Sequence, residues 1–119
     1  MYPEHVLHWI DDREVESSGG ATFEKRCPVD DRVLARVTRG DARDVSRAVD
    51  LACRAADAWG RLPAPRRGEI LGRAAVLLRA GQGEFGDIIA AETGKPLKNA
   101  VAEVGSSAEI GRASCRERV

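Results

Sequence analysis

Apolar positions along this chain follow two periods, and the change from one to the other falls at Gly40. Ahead of it the alternation is close to two residues, the spacing that turns one face of a β-strand toward a core. Residues 6–10 read as a short strand, and Asp11-Asp12 as a two-residue turn into a second strand over residues 14–16. The second position of such a turn normally takes Gly because its φ is positive, so Asp12 is expected to carry backbone strain. Residues 17–20 form a small-residue loop. Residues 22–26 alternate around Phe23, Pro28-Val29-Asp30-Asp31 makes a second turn, and residues 33–37 are a strand by their β-branched content.

From Gly40 onward the period is helical. Asp41 is placed to cap a first helix, with Asp44 at its third position, and Val45, Ala48, Val49, Ala52, Cys53, Ala56 and Trp59 form one face. Inside that stripe Cys53 is expected to be a buried, unreactive thiol. Residues 60–65 interrupt the helix, and a new one can begin at Pro65. Ile70, Leu71, Ala74, Leu77 and Leu78 supply the face of a second helix; Phe85, Ile88 and Ile89, with Glu92 at the margin, supply that of a third. In Glu92-Thr93-Gly94-Lys95-Pro96-Leu97 the third helix ends, because Gly94 can take the left-handed conformation and Pro96 blocks continuation. A fourth helix starts at Leu97, carries Ala100, Val101 and Val104 on its apolar face, and is expected to end near Ser107.

Composition narrows the function classes. With 43% hydrophobic residues and no long apolar run, the chain suits one modest domain or part of a larger one. The opening MYPEHVLHWIDD lacks the basic start, apolar stretch and cleavage site of a signal peptide, and nothing spans a membrane, so a cytoplasmic location is the default. Cys27, Cys53 and Cys115 form no CxxC pair, which argues against a disulfide scaffold and a zinc site. The 19 basic and 19 acidic residues cancel and are interleaved, and the few aromatics give no stacking platform, so no nucleic acid partner is expected. The bias toward Arg and Ala fits a GC-rich coding genome.

The candidate chemistry is thin. Gly81-x-Gly83-x-x-Gly86 matches the dinucleotide fingerprint by letter, but that fingerprint needs a strand before it and a helix N-terminus after it. Here the preceding residues are helical by period, so the glycines are read as weakening a helix junction, at about 1 kcal/mol each relative to Ala. His5 and His8 would point to opposite faces of a strand and read as surface imidazoles with no third metal ligand. Ser106 and Ser107 have no His following them and suit a helix end; Arg66 and Arg67 suit a solvated helix start. From the residues alone, a strand-rich start is followed by three or four helices, with no active site legible.

Taken in order, several marks resemble a known family. They are W-I-D-D-R at residues 9–13, C-P-V-D-D-R-V at 27–33, A-R-V-T-R-G-D at 35–41, A-W at 58–59, P-R-R-G-E-I-L at 65–71 and E-T-G-K-P at 92–96. Over roughly residues 5–108 the chain resembles the N-terminal segment of the NAD(P)-dependent aldehyde dehydrogenase superfamily. The resemblance implies an α/β fold: the N-terminal part of the aldehyde dehydrogenase cofactor-binding domain, with short β hairpins followed by three or four helices and an incomplete sheet. It also implies oxidation of an aldehyde to a carboxylic acid with NAD or NADP, through a Cys thiohemiacetal and a Glu-activated water.

The residues that do this chemistry in the family lie beyond the matching segment. No catalytic and no cofactor-binding residue is assigned here: none of Cys27, Cys53 or Cys115 matches the family nucleophile. The fragment is expected to be inactive and to hold no cofactor alone, and the parent is expected to be a homodimer or homotetramer acting on a small aldehyde. Some family members hold a monovalent cation at positions that correspond to Lys25, Arg26 and Glu92, which makes these three the candidate metal site. Asp12 and Asp31 stand where the family often has turn glycines, Cys27 replaces the common Asn before Pro28, and Gly81, Gly83 and Gly86 fall in a region better suited to helix.

The chain is accordingly divided into residues 1–108, a partial aldehyde dehydrogenase segment, and residues 109–119. That last stretch resembles the in-frame translation of a sequencing-library adapter, with a basic partner-binding tail as the competing reading. A second functional class is a small stand-alone interaction module that uses an exposed apolar face and performs no catalysis.

Overall fold

The computed structural model describes residues 2–116, with side chains through residue 109. It divides within the last turn of the first helix into a β-rich unit, residues 2–58, and a helical unit from residue 59 onward. Residues 117–119 and the side chains of residues 110–116, in the stretch read as adapter-derived, lie outside the described residues.

In the first unit, β1 (His5–Val6), β4 (Thr22–Arg26) and β5 (Val33–Thr38) form a three-stranded sheet in the order β1-β5-β4, and β2 (His8–Trp9) pairs with β3 (Glu14–Val15) separately. The single strand expected over residues 6–10 is thus two, divided at Leu7: His5 and Val6 run parallel to Arg36 and Val37, while His8 and Trp9 face Val15 and Glu14. Parallel pairing joins residues about thirty apart in sequence, and no local pattern announces it.

The turns follow from backbone sterics. Asp11 and Asp12 have φ of 60° and 58°, and the Ile10 N–H donates to the Arg13 carbonyl at 3.0 Å. Positive φ at both central residues is what matches a two-residue turn to the twist of its strands, so the strain expected at Asp12 is shared with Asp11. Asp31, at φ 57°, closes the β4–β5 hairpin, where the Asp31 N–H donates to the Cys27 carbonyl at 3.0 Å.

Helix α1 (Ala42–Arg61) begins on a reciprocal cap. Asp41 Oδ1 accepts from the N–H groups of Arg43 (2.8 Å) and Asp44 (3.2 Å), and Asp44 Oδ2 accepts from the Asp41 N–H at 2.9 Å. The face expected to be buried is not: Val45 is 61% exposed, Val49 and Trp59 are also exposed, and so is Cys53. The burial expected of the Cys53 thiol is therefore corrected. The apolar stripe on this helix is real, but among the described residues little covers it.

The helical unit contains α2 (Ala64–Ala80), α3 (Gln82–Thr93) and α4 (Leu97–Arg116). Pro63 precedes α2 at φ −54° and ψ 141°, and its carbonyl accepts from the N–H groups of Arg66 and Arg67. Gly94 is left-handed at φ 72° and its N–H returns to the Ala90 carbonyl, as the sequence predicts. Helix α4 does not end at Ser107. Ser106 and Ser107 donate instead to the carbonyls of Ala102 and Glu103, four residues back, and the helix continues to Arg116.

This unit is packed through small residues. Ala100, Val104 and Ala108, spaced four apart on α4, are 0–3% exposed, and Ala75 and Gly86 are the buried positions of α2 and α3. The face assigned to α2 is largely the wrong one: Leu77 is 72% exposed and Ile70 and Leu71 are exposed too, while Ala75 packs. No large side chain among the described residues is fully buried.

Candidate functional site

The candidate cation residues stand in different units. Lys25 and Arg26 are neighbours on β4, at the irregularity where the ladder partner shifts from Ala35 to Val33. A Lys ammonium and an Arg guanidinium have only donors, so from these two positions only main-chain carbonyl oxygens could meet a cation. The Arg26 side chain is engaged within its own hairpin, with Nη2 2.6 Å from Glu24 and Nη1 2.8 Å from the Asp31 carbonyl. The Glu24 hydrogen bond and the two nearby carboxylates raise its pKa further above the ordinary Arg value. Arg26 thus ties the positive-φ turn at Asp31 to β4. Glu92 is half-buried in the last turn of α3, beside Thr93, whose Oγ1 donates to the Ile89 carbonyl at 2.6 Å. Lys95, just past Gly94, pairs with Glu103 on α4.

Two of the three glycines in the triplet, Gly81 and Gly86, are packed against protein. Gly81 joins α2 to α3, so a helix and not a strand precedes it. A Cβ on Gly86 would lie 2.5 Å from Val101 Cγ2 and 3.2 Å from Val101 Cα, and one on Gly81 would lie 2.9 Å from the Phe85 ring. Gln82 Nε2 donates to the Val101 carbonyl at 2.9 Å across the same crossing. Gly86 is therefore an approach point for α4 instead of a weak spot in α3, and these residues do not fit a pyrophosphate. The missing signal was a partner seven positions past Gly94; Val101 reads as an ordinary apolar residue until the helices are docked.

A second arrangement went unread in the sequence. Asp44, 6% exposed, uses Oδ1 to accept from the Ser18 N–H (2.9 Å) and Ser18 Oγ (2.6 Å), and Oδ2 to complete the α1 cap. These hydrogen bonds, Ser18 hydroxyl first, hold its pKa at about 2 against an ordinary 3.8. His8 is half-buried beside Gly40, with a shielded Nε2 that has no hydrogen-bond partner, so the surface role expected for it is corrected. His5 is exposed. Of the cysteines, Cys27 is buried in the β4–β5 turn and Cys53 is exposed on α1, while the side chain of Cys115 lies outside the described residues. Arg66 pairs with Glu69 at 2.5 Å, and Arg67 donates to the Leu62 carbonyl at 2.7 Å, which closes the connection between α1 and α2. Among the described residues no three His, Cys, Asp or Glu side chains gather into a metal-ligating group, and no helix is long and apolar enough to cross a membrane.

The sequence profile of the aldehyde dehydrogenase family matches residues 15–118. The chain belongs to the aldehyde dehydrogenase family. Among curated relatives, a D-glyceraldehyde dehydrogenase (NADP(+)) of Thermoplasma acidophilum is 40% identical over 96 residues, 81% of this chain and 20% of that protein. A malonate-semialdehyde dehydrogenase of Bacillus cytotoxicus is 34% identical over 101 residues, 85% of this chain and 21% of that protein. The crystal structure of an NAD-dependent aldehyde dehydrogenase from Sinorhizobium meliloti superposes with a TM-score of 0.89 at 28% identity, covering 93% of this chain and 23% of that one. The chain thus spans about a fifth of the length of the curated relatives it matches, and its short strands, four helices and incomplete sheet correspond to their N-terminal part.

Proposed function

We propose that the parent of this chain oxidises an aldehyde to a carboxylic acid with NAD or NADP through a Cys thiohemiacetal, and that this segment is structural and inactive alone. The observation that carries the reading is the superposition on a family member over 93% of the chain, in a protein more than four times as long. Exposed Val45, Val49, Val76 and Leu77 support it, because such faces are what a segment would turn toward the rest of a larger domain. They also suit the stand-alone interaction module, and a chimera separates the two. The Thermoplasma acidophilum relative, rebuilt with residues 5–108 of this chain in the corresponding position, should reduce NADP in the presence of D-glyceraldehyde, while this chain alone should not. A folded but inactive chimera, or turnover by the isolated chain, would defeat the proposal.

Under the same reading the parent works in the cytoplasm as a homodimer or homotetramer, with an aldehyde as its small-molecule partner and neither nucleic acid nor membrane. Lys25, Arg26 and Glu92 border a monovalent cation site there, the first two through carbonyl oxygens and Glu92 through its carboxylate. The chimera should then melt higher in potassium than in tetramethylammonium chloride, and Glu92→Gln should abolish the difference; equal melting of the unsubstituted chimera in the two salts would remove the cation site. Residues 109–119 are read as adapter-derived. Codons in the nucleotide record that differ from the adapter would overturn that assignment.

A further inference from the structure

We draw no further inference here: the strongest candidate, the exposed apolar face of α1 formed by Val45, Val49, Ala52 and Ala56, carries nothing because nothing in the structure shows what covers it.

Discussion

The β-rich unit and the helical unit are held by opposite means. In the first, a few polar groups do the joining: Asp44 gathers the α1 cap and the Ser18 loop, and Arg26 gathers the β4–β5 turn. In the second, the joining is steric. Ala75, Gly86, Ala100, Val104 and Ala108 bring three helices close, with Val101 filling the space a Cβ on Gly86 would need. The lesson is that burial here falls on small and polar residues, while the large apolar ones, Val45, Val76 and Leu77 among them, face outward. Under the proposed reading, these larger side chains face the rest of the parent protein.

The sharpest break of the steric unit uses two glycines of one motif against each other. Gly86→Leu should destabilise the helical unit by about 3 kcal/mol, since overpacking must move Val101 and with it α4. Gly83→Ala, where an added Cβ meets nothing within 4 Å, should stabilise by up to about 1 kcal/mol through helix propensity, the full value being that of a helix interior. Denaturant melts followed by helical circular dichroism read both. Equal signs would mean that the two glycines are not distinguished by packing.

The polar unit is broken by acid. The Asp44 carboxyl, depressed to about 2 from 3.8, contributes stability that is fully present above pH about 4 and is lost as pH falls through about 2. Asp44→Ala should therefore lower the melting temperature at neutral pH, and the gap to the unsubstituted chain should close as pH drops to about 2. A gap that stays constant over that range would show that the carboxylate charge is not what holds Ser18. The helical unit, without such a buried carboxylate among its described residues, should respond less.

The smallest effect is expected at the first turn. Asp12, at φ 58°, sits in a region where a side chain costs about 1 kcal/mol, so Asp12→Gly should raise stability by up to that amount. A loss of stability would mean that the aspartate side chain supports the turn more than its backbone strain opposes it.

What was legible in the sequence follows the same divide. Local chemistry was readable: the Asp41–Asp44 cap, the positive φ at Asp12, the left-handed Gly94 and the proline start of α2 each depend on residues close in sequence. The break of the first strand at Leu7 was not, because His5 and Val6 are held by Arg36 and Val37 far along the chain. Nor was the packed face of α2, since periodicity finds the stripe of largest apolar residues and the contact was made by Ala75. At the site, the rejection of the glycine triplet rested on the helix before it, and that helix is present; its use as a crossing needed the docked position of Val101. The Asp44–Ser18 clamp joins residues 26 apart and leaves no periodic mark.

We infer that Gly81 and Gly86 serve helix packing and that the glycine triplet is not a dinucleotide site. Calorimetric titration of the chain with NADP, repeated with NAD, tests it most directly. No saturable heat is expected with either. Saturable micromolar binding that disappears in Gly83→Ala would contradict it.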